Sequence, residues 1–184
     1  MKIVEITKDY ILIMKIQSGD TAAYERLIKK YYQSIFNYCA RRFNGDIVLA
    51  ADLTQDVFLK LVENLHQFRF KGKFKNFLFA IAVSTCTNYY KKKKPVLEDI
   101  ETLSIQDNAP DMLEQTIQSE QATEIQDAIN RLPDIQKEAI ILRFYHDFKV
   151  KDIAKITGVG QSTAQSRLKQ GIDKLKFILD KEVL

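Results

Sequence analysis

The chain has 184 residues, 46% of them hydrophobic, with 28 Lys+Arg against 24 Asp+Glu and a formal net charge of +4. That length suits one large domain or two small helical ones, and the hydrophobic share permits a core. No apolar run approaches the ~20 residues of a membrane span, and the start MKIVEITKDY mixes acids into a stretch without an apolar segment. It does not read as a secretory signal, so a cytoplasmic protein without direct membrane insertion is expected.

Three prolines and six glycines leave long stretches free of turn signals, which favours helices over a many-stranded sheet. The charge is segregated: residues 1–95 carry +9, residues 96–122 carry −7 with no base, and residues 123–184 carry +2. Such segregation separates surfaces with different partners. The basic first part suits a polyanion and the acidic middle does not; a pattern serving solubility alone is the alternative.

Three blocks follow in chain order. The first, Thr7 to Lys94, reads as successive helices. Ile11, Met14 and Ile16 mark one, and Gly19-Asp20 breaks it. Asp20 or Thr21 caps the next, whose Tyr24, Leu27, Ile28, Tyr31, Ile35, Tyr38 and Cys39 recur at three- and four-residue spacing. Asn44-Gly45 is a turn. From about Val48 to His66, Leu49, Leu53, Val57, Leu61 and Leu65 form a buried seam, with Asp52, Gln55, Asp56, Leu59 and Glu63 on another face. Phe68 to Lys75 alternates aromatics with bases; glycine and charge favour a loop over a strand. A last helix runs from near Asn76 through Tyr90 and stops before Pro95, which disfavours helix at Lys94.

The second block, residues 95–111, is an acidic linker expected to be extended. The third, 112–184, is helical again. Leu132-Pro133-Asp134 opens one helix, with Pro133 at an early position. Lys149–Ile156 is a short helix, Thr157-Gly158-Val159 a turn, and Ser162 or Thr163 caps a helix reaching about Leu179. This is a helix-turn-helix. Ala154 is small where the helices cross, Gly158 can take a positive φ, and Ile153, Val159, Ala164 and Leu168 can fill the core between them. The fold class is therefore all-α: two small helical domains, 1–94 and 112–184, joined by the linker.

Cys39 and Cys86 read as isolated, semi-buried reduced thiols, and His66 and His146 as solitary surface or boundary residues. No phosphate-cradling glycine loop, metal-ligand cluster or nucleophile–base pair is present in the sequence. No catalytic residue, metal, cofactor or small-molecule substrate is expected.

Leu132-Pro133 through Phe144-Tyr145, Asp152-Ile153-Ala154, Gly158-Val159 and Ser162 to Leu168 resemble the C-terminal domain of sigma factors. Asp52-Leu53-Thr54-Gln55-Asp56-Val57-Phe58 is similar to the polymerase-binding helix of the sigma N-terminal domain, and Phe74 to Ala82 to its promoter-reading helix. The three motifs stand in family order over residues 8–180, and the short two-domain chain resembles the extracytoplasmic-function (ECF) group of the sigma-70 family.

That resemblance implies three surfaces. Asp52, Gln55 and Asp56 would dock on the clamp helices of core RNA polymerase, since carboxylates accept charge-assisted hydrogen bonds from arginine; Phe58 is core or an anchor there. Lys73, Phe74, Asn76, Phe77, Ser84, Thr85, Asn88, Lys91 and Lys92 would melt and read the minus-ten element. Aromatic stacking there is worth roughly 1–3 kcal/mol per base, lysines neutralise phosphates, and polar groups read an extruded base. A core role is the alternative for Phe74 and Phe77, and core is expected for Leu78 and Ile81. The family usually has tryptophan at Phe77, and often Arg-Asn at Val83-Ser84. Ser162, Thr163, Gln165, Ser166, Arg167 and Lys169 would read minus-thirty-five duplex in the major groove. Arginine pairs with guanine and glutamine with adenine there, while Lys169 suits a phosphate. Gly171 stands where the family commonly has alanine, at a cost of about 1 kcal/mol in helix propensity. The acidic linker would thread through the polymerase interior or act only as a tether. The implied partners are core polymerase, promoter DNA and, as in other members, an anti-sigma factor. A regulator that binds duplex without polymerase is the competing class.

Overall fold

The computed structural model describes residues 2–68, 73–93 and 120–182, and every element among them is helical. The acidic linker and residues 69–72 of the aromatic-basic stretch lie outside the described residues.

Helix α1 (Lys2–Gln17) ends at Gly19, whose φ of +97° glycine adopts without strain. It buries Ile13 and Ile16 and leaves Ile11 and Met14 about half exposed, so of the three apolar residues that mark this helix in the sequence only Ile16 enters the core. The segment is apolar on several sides, so periodicity does not choose its rotation; Asp9 does. Its carboxylate takes bonds from Lys30 Nζ and Tyr31 Oη of α2, both at 2.6 Å. Helix α2 (Thr21–Arg42) begins with the Asp20 side chain accepting from the Ala23 N–H at 3.1 Å, a cap worth about 1 kcal/mol. Leu27, Tyr31, Ile35, Tyr38 and Cys39 are buried along one stripe.

Helix α3 (Ile47–Asn64) is capped by Asp46, which accepts from the Leu49 N–H at 2.9 Å. Leu53, Val57 and Leu61 are buried, and Leu65 follows them in a 3-10 turn (Leu65–Gln67), so the four-residue seam faces the core as expected. Each such side chain contributes roughly 1.5–3 kcal/mol by leaving water. Helix α4 (Phe74–Lys93) starts two residues earlier than its sequence signal. It packs on α2, α3 and the later helix-turn-helix, which explains its lack of a continuous polar face.

Helix α5 (Glu120–Asn130) leads to α6 (Asp134–Ile140), with Pro133 in the cap position just outside it. A π turn (Ile141–Tyr145) continues α6 and turns Ile141 and Leu142 inward. Helix α7 (Val150–Thr157) stops at Gly158 in the left-handed conformation, and α8 (Gln161–Glu182) follows. Gly160, just before α8, accepts the Ala164 N–H, so Ser162 and Thr163 lie in the first helical turn instead of capping it.

The two helical blocks share one core. Ile141, Leu142, Phe148, Ile153, Ala154 and Ala164 join the apolar cluster of α1–α4, and Phe79 of α4 packs edge-on against Phe148 at 4.8 Å between centroids. A second cluster, Ile129, Leu132, Ala139, Ile140 and Leu168, holds α5, α6 and α8 together. Gly171 sits in that packing: a Cβ there would lie 3.0 Å from Ile140 Cγ1. Cys39 and Cys86, far apart in sequence, meet across α2 and α4 with sulfurs 3.9 Å apart, and both are fully buried.

Candidate docking and nucleic-acid surfaces

Packing the leucine seam inward turns the opposite face of α3 to solvent. Asp52, Gln55 and Asp56 are exposed, and the carboxylates form no ion pair among the described residues. Val48 (75% exposed), Leu59 (63%) and Val62 (45%) stand beside them. The result is an acid-flanked apolar strip, which suits a partner carrying both cations and aliphatic groups. Only Leu59 of the three was placed on this face by spacing; Val48 and Val62 have no sequence signal separating them from core. Phe58 is buried and stacks on Tyr32 at 6.1 Å, so it supports the surface from below.

On α4, Phe74 is core, edge-on to Tyr31 at 5.4 Å and to Phe68 at 5.7 Å. Leu78 is also core, while Ile81 and Phe77 are half-buried, with Phe77 tilted on Phe68 at 5.1 Å. Thr85 is buried and accepts a hydrogen bond from Lys60 Nζ of α3 at 3.1 Å, so its hydroxyl faces the protein. Ser84, Asn88, Lys91 and Lys92 are exposed along the outer face. Tyr90 beside them stacks on Phe43 at 4.9 Å, under the Arg42 guanidinium. Lys73 and Asn76 both bond the Asp152 carboxylate of α7, at 3.1 and 2.8 Å. Burial would raise the Asp152 carboxyl, but the bonds from Asn76 and Lys73 prevail and hold it below the usual carboxylate range.

On α8, Ala164 and Leu168 face inward while Ser162, Thr163, Gln165, Ser166 and Lys169 are exposed and Arg167 is half-buried. Gln170 Nε2 bonds Ser166 Oγ at 3.3 Å and its Oε1 accepts from Gln136 at 3.1 Å. The six sequence candidates thus lie on one helix, five of them open to a ligand.

Sequence reasoning missed the polar seam between the blocks. Tyr38 Oη donates to Glu138 Oε1 at 2.6 Å, Arg42 pairs with Asp134 at 3.2 Å, and Arg41 bonds Gln126 at 2.7 Å with its guanidinium 3.7 Å from the Tyr145 ring centroid. Burial pushes the Glu138 carboxyl up, against the opposing pull of Arg42 and Tyr38. Lys137, between Asn44 and Asn130, is lowered to about 8 by burial and by Arg42. His146 is buried here, not at the surface, between Tyr38 and Phe79. Burial, with Lys75 and Arg41 nearby, lowers it to about 3. No local sequence pattern marks these residues, because most of their partners lie far off in the sequence, Glu138 a hundred positions from Tyr38. Among the described residues, no group of three or more His, Cys, Asp or Glu could hold a metal ion, and no helix is long and apolar enough to cross a membrane.

Comparison with known proteins decides the family. The description Sigma-70 region 2 matches residues 27–96, and Sigma-70, region 4 matches residues 122–175. The chain is 30% identical over 158 residues to RNA polymerase sigma factor YlaC of Bacillus subtilis, covering 83% of this chain and 89% of YlaC. It belongs to the ECF group of the sigma-70 family. A second relative, ECF RNA polymerase sigma factor SigW of Bacillus subtilis, is 26% identical over 174 residues, covering 89% of this sigma factor and 92% of SigW. The fold is also that of the sigma factor RpoE of Bartonella quintana, solved in complex with the anti-sigma factor NepR. There the TM-score is 0.69 at 22% identity, over 85% of this chain and 96% of the other. Membership places this factor among proteins of promoter-specific transcription initiation, with α2–α4 in region 2 and α5–α8 in region 4.

Proposed function

We propose that this factor docks on core RNA polymerase through α3, reads minus-thirty-five duplex through α8 and captures melted minus-ten DNA along α4. The observation that carries the reading is that two surfaces on separate helices, the acid-flanked strip of α3 and the outer face of α8, are solvent-facing and have no structural task. Asp52 and Asp56 supply the carboxylates for docking, with Gln55 between them and Leu59 and Val62 as apolar contacts; Phe58 shapes the surface without touching the partner.

Gln165 and Arg167 carry groups able to pair with base edges in the major groove, and Lys169 suits a phosphate. For the minus-ten element the exposed set is Lys73, Ser84, Asn88, Lys91 and Lys92, with Asn76 and Phe77 half-buried beside them. Phe74 and Thr85 act from inside: the first fixes Phe77, and the second is tied to Lys60. An anti-sigma partner is part of the proposal too, supported by the occurrence of such a complex for the RpoE relative in fold.

The docking step is tested by co-elution of the full chain with core polymerase. Asp52→Ala with Asp56→Ala should weaken binding about tenfold or more, since each lost charge-assisted bond is worth roughly 1.5–3 kcal/mol, while the thermal melt stays in place. Undiminished co-elution would remove α3 from the interface.

A further inference from the structure

Cys39 of α2 and Cys86 of α4 take no part in the surfaces described above. Their sulfurs face each other at 3.9 Å, and both side chains are fully buried. Each is carried by a helix that also packs on α3, so the two sulfurs are held as neighbours by the fold. Two groups fixed in this way react with each other far more readily than with anything in solution. A disulfide needs its sulfurs about 2.05 Å apart, so closing this pair asks each to move about 1 Å, a displacement of side-chain scale.

The two thiols are not equivalent. The thiolate is the nucleophile in cysteine chemistry. The hydrogen bond from Cys86, helped by Thr54, outweighs burial and holds the Cys39 thiol below its ordinary value. The bond to Cys39 and burial push Cys86 up. Cys39 is therefore the sulfur placed to attack first and Cys86 the one placed to resolve. Burial also selects the oxidant. A bulky low-molecular-weight disulfide cannot reach either sulfur, whereas hydrogen peroxide is close to water in size and can enter through local opening of a helix.

We propose that Cys39 and Cys86 form a peroxide-responsive latch that joins α2 to α4 as a reversible disulfide. Cys39 thiolate attacks one peroxide oxygen, the O–O bond breaks, and the products are a sulfenic acid and hydroxide. The Cys86 sulfur then attacks the sulfenic sulfur; the S–S bond forms, the S–O bond breaks, and the oxygen leaves as hydroxide. The two thiol protons neutralise the two hydroxides. Two thiols and one peroxide thus give one disulfide and two waters, the sulfurs losing the two electrons that the peroxide gains. The residues lie 47 positions apart and bracket the whole of α3, so the latch closes a long loop and removes much of the unfolded chain's freedom. Cys86 is on the inner face of α4, opposite the exposed Ser84, Asn88, Lys91 and Lys92, and Asp52 and Asp56 are exposed on α3. Closure therefore strengthens the α2–α4 body and leaves its outward surfaces in place.

The test exposes the full-length factor to a modest molar excess of hydrogen peroxide, removes it, and alkylates in urea. The expected result is loss of both alkylatable thiols and one tryptic species joining the Cys39 and Cys86 peptides, separated again by dithiothreitol. The thermal midpoint should rise by about 5–10 °C, and the oxidised factor added to core polymerase should start transcription as the reduced one does. In Cys86→Ala, dimedone should trap a sulfenic acid on Cys39; in Cys39→Ala, treated alike, Cys86 should stay alkylatable. The peptide assay on the parent chain needs neither variant, so the proposal stays exposed if one of them folds poorly. Thiols that both alkylate fully after peroxide, a sulfinic acid on either residue, or a chain-to-chain dimer would show two packed core cysteines and no latch. A disulfide that leaves the melt unmoved or abolishes transcription would overturn the strengthening role.

Discussion

His146 should make the packed arrangement acid-sensitive well above the pH at which carboxylates titrate. Its ring lies between Tyr38 and Phe79, its Nε2 has no partner among the described residues, and the cations Lys75 and Arg41 face it from α4 and α2. Burial and those charges lower its pKa from 6.5 to about 3. The unfolded chain takes up the proton near 6.5 and the folded chain only near 3, so stability is full above 6.5 and falls as the pH drops below it. Between pH 7 and pH 5 the loss is about 2 kcal/mol, at about 1.4 kcal/mol per pH unit once the unfolded imidazole is protonated. Glu138 acts with the opposite sign. Its raised carboxyl favours the folded state at low pH and loses that contribution as the pH rises through the folded value. The comparison that isolates His146 is therefore with His146→Phe, which keeps Glu138 and the aromatic packing. Urea melts at pH 5, 6, 7 and 8 should show the parent losing about 2 kcal/mol more than the variant between pH 7 and 5. Parallel curves for the two proteins would refute the reasoning, since a neutral buried imidazole could not then be what the seam contains.

Leu61→Ala should cost about 3 kcal/mol by leaving a cavity under α3, read from denaturant melts; a loss below ~1 kcal/mol would mean α3 is not seated on its leucine seam. Gly171→Ala gains about 1 kcal/mol of helix propensity. The new methyl meets Ile140 at 3.0 Å in a closed core, so a net loss of about 1 kcal/mol is expected and a clear gain would contradict the packing of α6 on α8. Gln165→Ala should relax base preference at one minus-thirty-five position by about 1–3 kcal/mol. Lys169→Ala should instead weaken all sequences alike and lower the salt dependence by about one phosphate contact, both measured by selection from a randomised duplex.

What the sequence makes legible here is what local spacing controls. Leu53, Val57, Leu61 and Leu65 recur every four residues, so both the helix and its buried face can be read, and the exposure of Asp52 and Asp56 follows. Asp20 and Asp46 sit just before helices and cap them; the sequence offers Asp20 or Thr21 for the first and the structure selects Asp20, while Asp46 carries no such signal beside the Asn44-Gly45 turn. Gly158 marks the turn of the helix-turn-helix because only a residue without a Cβ takes its φ of +68° freely. Local spacing says less where a segment is apolar on several sides. In α1 the choice between Ile11 and Ile13 is made by Asp9 reaching α2, a contact across the chain. It says nothing about the seam. Tyr38 and Glu138, Asn76 and Asp152, and Cys39 and Cys86 meet only because whole helices cross, so the cysteines read as isolated and His146 as peripheral. The same limit explains Phe74 and Thr85: each lies in a family motif, but the burial of one and the Lys60 bond of the other depend on how α4 sits against its neighbours.

The central claim is that this chain acts as a promoter-selecting subunit of RNA polymerase. Run-off transcription with purified core polymerase and a randomised promoter library tests it most directly. The account predicts factor-dependent starts on templates that share two short motifs at fixed spacing, lost with Asp52→Ala and Asp56→Ala together. Starts that are the same with and without the factor, on templates with no shared motif, would contradict it.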